Sequence, residues 1–220
     1  MALILITGTN QGIGLEMAKQ YKARGDEVIA VCRKASEDLQ ESGVEIIENV
    51  DVTDDASVAN LVAAVGSRKI DVLINNAGVL TRETLGDLNF DRMRVQYEVN
   101  TLGPLRVSAA LADKLADGGK VGIVTSRVGS MADNGSGGNY GYRMSKAAAN
   151  MVGVNLSHDF KPREIAVGLL HPGYVRTNMT GGNGETDAAS AASGLIERMD
   201  ALSMASTGTF WHAEGYALPW

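Results

Sequence analysis

Ser126, Tyr142 and Lys146 are residue types that can exchange a proton with a carbonyl or an alcohol. Tyr142 and Lys146 are four apart, so on one helix they share a face about one turn from each other. A phenol is a weak acid, with an ordinary pKa of about 10. An ammonium one turn away favours the phenolate and is expected to draw that value towards the working range. A serine hydroxyl from a neighbouring strand end would then hold a carbonyl oxygen against the phenol. Tyr140 lacks this arrangement, because Met144 stands four positions on. Tyrosine and lysine at this spacing also occur by chance on solvated helices, so the pair gains meaning only if the chain supplies a hydride carrier.

The elements that must position these residues alternate along the chain. Apolar runs over residues 2–6, 28–32, 44–50, 72–74, 120–125 and 165–170 read as strands, and Phe210 falls in a short last one. Helical patterns lie between them. One runs to about Arg24, a short polar one covers about 35–42, and a third is capped by Asp54 or Thr53. A long stretch from Phe90 to about Leu115 is expected to bend near Gly103-Pro104. Tyr142 lies on a helix running to about Phe160, after a glycine-rich loop, and a last helix covers about 186–204. This rhythm predicts an α/β fold in a single domain over 1–220. It is a Rossmann-type doubly wound parallel sheet of about seven strands with helices on both faces.

In such a sheet, ligands bind beyond the carboxyl ends of the strands where strand order reverses. The loop Thr7-Gly8-Thr9-Asn10-Gln11-Gly12-Ile13-Gly14 follows the first strand and opens the first helix. Gly8 permits the tight turn, Gly12 lets backbone approach a pyrophosphate, and Gly14 allows close helix–strand packing, with a helix N-terminus behind that favours anions. The spacing is Gly-x3-Gly-x-Gly, and its place between strand and helix supports a dinucleotide reading. After the second strand a carboxylate would bind a ribose 2′-hydroxyl, whereas a cation accommodates a 2′-phosphate. Here Cys32-Arg33-Lys34 contains no carboxylate, which favours NADP(H) over NAD(H).

With these motifs in order, the sequence resembles the short-chain dehydrogenase/reductase family over nearly its whole length. The resemblance rests on Thr-Gly-x3-Gly-Ile-Gly at 7–14, Asp51-Val52, Asn75-Asn76-Ala77-Gly78, Asn100, Ser126, Tyr-x3-Lys at 142–146, and Pro172-Gly173 followed by Val175 and Thr177. It implies that Asp51 and Val52 bind the adenine edge, and that Asn75, Asn76, Ala77 and Gly78 pack beside the cofactor and steady the central strand. Val175 and Thr177 would hold the nicotinamide carboxamide, and Asn100 would anchor a water chain to Lys146. Tyr142 would be the general acid or base, Ser126 would orient the carbonyl, and Lys146 would lower the tyrosine pKa and hold the ribose. Among Thr125, Ser126 and Ser130, the family's serine position selects Ser126, and the glycine-rich stretch at 133–139 lengthens the usual serine-to-tyrosine gap. The chain's close, Gly-Thr-Phe-Trp-His-Ala-Glu-Gly at 208–215 and Leu-Pro-Trp at 218–220, resembles a branch with sniffer-type carbonyl reductases and C-factor-like proteins. Relatives that prefer NADP often carry a cation just before the second glycine. Here that residue is Gln11, which leaves phosphate recognition to Arg33, with Thr9 and Lys34 assisting.

The expected activity is reversible hydride transfer between NADP(H) and a small carbonyl or alcohol substrate. The alternatives are a nucleotide-binding signalling or sensor protein on the same fold, and an NAD-linked alcohol dehydrogenase. A net charge of −6 and a pI near 5.1 argue against nucleic acid or an anionic membrane as partner. The N-terminal apolar run reads as a strand, not a signal peptide, and single Cys32 suits a reducing cytoplasm. The resemblance implies a homodimer or homotetramer. His158, His171 and His212 lack metal-ligand spacing and read as ordinary helix, strand-end and tail residues. Phe210, Trp211 and Trp220 read as core or interface packing. The short, glycine-rich segment between Thr177 and about Ala188 is expected to leave the site open to varied carbonyls.

Overall fold

The central strands form because β-branched and leucine side chains fill both faces of a buried sheet, runs too apolar to stand against water. The computed structural model describes residues 1–220. Its strands are β1 (Leu3–Thr7), β2 (Glu27–Val31), β3 (Glu45–Ile47), β4 (Ile70–Asn75), β5 (Leu115–Val124), β6 (Ala166–His171) and β7 (Thr209–His212). The helices between them are α1 (Gly12–Ala23), α2 (Glu37–Gln40), α3 (Asp55–Val65), α4 (Phe90–Tyr97), α5 (Gly103–Ala110), α6 (Tyr140–Asp159) and α7 (Ala188–Ala201). All seven strands are parallel, in the order β3-β2-β1-β4-β5-β6-β7. This is the expected doubly wound α/β fold, with strand order reversing between β1 and β4.

Alternation along β1 shows how the two faces are covered. Leu3 and Leu5 join a cluster with Leu61 of α3, Val107 of α5 and Leu156 of α6. Ile4 and Ile6 face the other way, onto Met17 and Ala18 of α1 and Leu195 and Met199 of α7. Each fully buried side chain of this kind contributes roughly 1.5–3 kcal/mol relative to exposure. Cys32 is a buried hydrophobe beside Leu15, Ala30 and Leu39. No helix is long and apolar enough to cross a membrane.

Several boundaries differ from those read in the sequence. β5 starts at Leu115 instead of Lys120, because buried Leu115 pairs with Ile70 and residues 116–119 bulge out before Lys120 rejoins opposite Val72. The long helix is broken as Pro104 requires. Between α4 and α5 the chain makes a π turn, Glu98–Leu102, and α5 begins with the proline in its first turn. The 35–42 helix shrinks to one turn, capped by the Ser36 side chain on Leu39 N. The last helix is trimmed by its cap, Asp187, which accepts from Ser190 N at 2.7 Å.

Candidate active site

Two cavities open at the carboxyl ends of the strands. The first, about 690 Å³, lies at the switch point between β1 and β4, and Gly8, Asn10, Gln11, Gly12, Ile13 and Gly14 form one wall. Gly8 has φ +72°, and a Cβ there would stand 2.7 Å from Ala77 Cα. A Cβ on Gly14 would collide with the Gly8 carbonyl and the Asn76 side-chain amide. Asn76 Nδ2 holds the turn shut by donating to Thr7 O and Gly8 O, both at 3.0 Å, while Asn76 N and Ala77 N donate to Thr7 Oγ1 at 3.1 Å. Gly14→Ala is therefore expected to cost about 1–3 kcal/mol of stability and to abolish nucleotide binding. Denaturant unfolding and NADPH fluorescence titration check this; a stable variant that binds NADPH normally would contradict the packing argument.

The cavity is also lined by Arg33, Asp51, Val52, Ala77 and Gly78. Asp51 is tied to its own turn, accepting from Thr53 N at 2.9 Å and Thr53 Oγ1 at 2.8 Å. That backbone bond, with the Thr53 hydroxyl and the Arg33 and Arg106 charges, holds its carboxyl below the usual range against the effect of burial. Three arginines line the cavity. Arg94 pairs with Asp91, and Arg106 pairs with Asp55 and donates to Val52 O at 2.9 Å. Arg33 is exposed and has no ion-pair partner, so it is the cation free to meet an anion there. Thr9 differs from expectation: it is buried, and its hydroxyl donates inward to Val31 O at 3.2 Å. Lys34 is likewise not part of the wall.

The second cavity, about 1330 Å³, joins the first at Ile13, Thr177 and Met179. Ser126, Tyr142, Pro172, Gly173 and Val175 line it, together with Thr177. The hydroxyl candidates separate here. Thr125 also lines this cavity, but its hydroxyl is committed, donating to Asn150 Oδ1 at 2.7 Å, and buried Ser130 Oγ accepts from Asp133 N at 3.1 Å. Ser126 caps a short turn at Arg127–Gly129 and lies beside the Tyr142 phenol. Tyr140 stands at the exposed start of α6, away from both cavities.

Lys146 is buried one turn below Tyr142, with Nζ 5.6 Å from the phenol ring centroid and donating to Val124 O at 2.9 Å. Here the sequence expectation needs correction. The Tyr142 pKa is pushed up to about 12, chiefly by burial, and hydrogen bonding with Ser126 opposes the rise only partly. Burial also brings the Lys146 ammonium down to about 8. Desolvation of both groups outweighs the attraction that sequence spacing alone suggested.

Asn100 sits in the π turn, an interruption that aims a side chain off the regular helix path. Its Oδ1 accepts from Val79 N at 2.8 Å, and its Nδ2 donates to Val79 O at 2.9 Å and Ser145 Oγ at 3.0 Å. Asn100 thus clamps the segment that follows β4 to α6. Its Oδ1 and Lys146 Nζ both approach Gly78, 3.3 Å and 3.7 Å from where a Cβ would stand.

Other supports had no signal in the sequence pattern. Asn139, before α6, has φ +47° and gives no side-chain cap. Buried Glu83 supplies one from elsewhere, accepting from Gly141 N at 3.3 Å and holding Gln96 and the Thr81 hydroxyl. Arg143 pins the glycine-rich loop through Gly137 O and Gly138 O at 3.1 Å and Ser136 Oγ at 2.8 Å. His171 and His212, treated as unrelated in the sequence, pair across β6 and β7 with ring centroids 4.9 Å apart inside the second cavity. Phe210 is core, stacked on Trp220 at 5.6 Å.

The wall of the first cavity therefore fits a dinucleotide phosphate. It has a tight glycine turn, a helix N-terminus behind it and one unpaired cation. Comparison with known proteins agrees. The family model described as short chain dehydrogenase matches residues 2–188. The chain is 43% identical over 226 residues to 1-hydroxy-2-glutathionyl-2-methyl-3-butene dehydrogenase of Rhodococcus sp. (strain AD45), covering 100% of both. It is 42% identical to C-signal of Myxococcus xanthus over 154 residues, 69% of this chain and 93% of that protein. It is similar in structure to the NADPH-bound carbonyl reductase from chicken fatty liver, with TM-score 0.92 and 29% identity over 100% of this chain and 99% of that one.

Proposed function

The chain belongs to the short-chain dehydrogenase family, an oxidoreductase family that uses a nicotinamide cofactor, and we infer that it is an NADP(H)-dependent reductase of aldehydes or ketones with Tyr142 as proton donor. The observation that carries this reading is the junction of the two cavities. Tyr142 and Ser126 line one, unpaired Arg33 and the glycine turn line the other, and Ile13, Thr177 and Met179 belong to both.

When bound, NADP(H) supplies or accepts the hydride at its nicotinamide ring. The glycine turn and α1 N-terminus take the pyrophosphate, Arg33 the 2′-phosphate, Asp51 and Val52 the adenine edge, and Val175 and Thr177 the carboxamide. Ser126 holds the substrate oxygen against the phenol. Tyr142 gives its proton to that oxygen as charge develops on it, and the Lys146 ammonium stabilises the phenolate left behind. Asn100 holds Val79 and α6 so that the tyrosine and lysine keep their placement.

The pKa pattern gives this reading a direction. A phenol near 12 stays protonated throughout the neutral range, ready for reduction. The Lys146 ammonium, charged below about 8, loses its proton as pH rises through that value. Reduction kcat is expected to be flat near neutrality and to decline through about pH 8, whereas alcohol oxidation, which needs the phenolate, rises with pH. NADPH consumption on a panel of aldehydes and ketones over this range tests both the activity and the slope. A reduction rate that climbs through pH 8 would contradict the assigned roles.

A second reading is oxidation of an alcohol that carries a large polar substituent. It is supported by the relative whose name describes a glutathionyl alcohol and by a second cavity of about 1330 Å³, larger than a drug-sized site. For assembly, the packed helices α4 and α6 expose Tyr97, Met144 and Met151, apolar side chains suited to a second copy. Light scattering is expected to give two or four times the 23.2 kDa chain mass; a monomer would contradict it.

A further inference from the structure

His171 and His212 end neighbouring parallel strands and face each other edge to face, with ring planes at 76°. They are 8% and 9% exposed, and both line the cavity that holds Ser126 and Tyr142. His212 has a defined tautomer. Its Nδ1 accepts from Glu214 N at 3.1 Å, so the ring proton sits on Nε2. The Glu214 carboxylate is 3.8 Å from that Nδ1, beyond hydrogen-bond reach. The Nε2 edge faces Gly173, 3.9 Å from where a Cβ would stand, and meets no protein acceptor. Tyr216 stacks on the ring at 4.6 Å and fixes its plane.

His171 is more unusual, because its Nδ1 is buried without any hydrogen-bond partner. An orphaned buried polar atom costs about 1–3 kcal/mol and calls for an explanation such as a ligand. Charge is excluded as its purpose. Burial, then the nearby His212, Arg127 and Lys146, push the His171 pKa down to about 3, and burial also lowers His212. Both imidazoles are therefore neutral in the working range, each with one N–H and one lone pair. Arg127, the nearest strong cation of the loop, is engaged with Asp133.

We propose that His171 and His212 are specificity-determining residues, a neutral imidazole pair that hydrogen-bonds a second oxygen on the substrate, remote from the reacting carbonyl. The substrate class is a carbonyl compound whose side group carries an ester, amide, hydroxyl or carboxyl oxygen. His212 donates from Nε2 to that oxygen, and the His171 ring, packed edge to face against it, holds the His212 ring in place. This rests on the carbonyl-reductase reading of the same cavity.

The test uses benzaldehydes bearing a methyl ester at the ortho, meta or para position, each paired with the isobutyl compound of equal heavy-atom count. The wild-type enzyme is expected to prefer the ester in at least one pair by about tenfold in kcat/KM, the worth of one good hydrogen bond. His212→Phe, which keeps the stack on Tyr216, should bring the ester-to-isobutyl ratio of kcat/KM to about one, whatever the absolute rates, while NADPH binding, in a cavity His212 does not line, is retained. His171→Leu should reduce it. Side-chain 15N NMR gives a second readout, since the chain has only three histidines. The His212 Nε2 signal should move with the ester compound and not with its isobutyl partner. Turnover without ester preference, or preference that survives His212→Phe, overturns the proposal and leaves the reductase reading standing. Absence of all turnover counts against the reductase reading; the NMR shift then decides the histidine pair alone, and no shift overturns it.

Discussion

Tyr142→Phe is expected to lower kcat for carbonyl reduction by about 10²–10⁴-fold, the usual worth of a positioned general acid. The phenyl ring keeps the packing of Tyr142 and removes only the hydroxyl beside Ser126. NADPH affinity should hardly change, because the glycine turn, Arg33 and Asp51 belong to a cavity whose wall does not include Tyr142. Tyr140→Phe is the matched control. It alters a neighbouring phenol on the same helix that is exposed and lines neither cavity, so its rate should equal wild type. Steady-state rates and NADPH fluorescence titration on the two variants separate chemistry from binding. Substantial turnover in Tyr142→Phe, or equal loss in both, would remove Tyr142 from the proton path.

Arg33→Asp is expected to reverse cofactor preference. A charge-assisted hydrogen bond contributes about 1.5–3 kcal/mol, so its loss should raise the KM for NADPH by roughly 10- to 150-fold. The new carboxylate can accept from a ribose 2′-hydroxyl, so NADH should improve. The other arginines of that wall serve as controls. Arg94 already pairs with Asp91, and Arg94→Ala should leave the NADPH/NADH ratio unchanged. Arg106 braces Val52 O and Asp55, so its removal should weaken both cofactors alike. An unchanged ratio in Arg33→Asp would show that the 2′-phosphate is read elsewhere.

Features carried by local pattern were legible in the sequence. The apolar runs of β1, β2 and β6 stood out because a doubly buried strand has little choice of residue, and Gly8 and Gly14 because no other residue fits there. Tyr142 and Lys146 were found because helical spacing is local. Features that depend on distant chain segments were not legible. The inward turn of the Thr9 hydroxyl onto Val31 depends on the register of β2. The pairing of His171 with His212 depends on β6 lying beside β7, forty-one residues apart in sequence. Glu83 reaches the start of α6 from fifty-eight residues away. The Tyr142 pKa shows the limit most clearly. The lysine could be counted from the sequence, but the burial that outweighs it could not.

Transfer of a label tests the central claim most directly. The enzyme is incubated with an aldehyde and NADPH carrying deuterium at the transferable position of the nicotinamide ring, and the products are analysed by mass spectrometry. The account predicts one deuterium on the carbinol carbon of the product alcohol, at a rate lost in Tyr142→Phe. Tight NADPH binding with the label retained in the cofactor across the carbonyl panel would contradict it and favour a nucleotide sensor on this fold.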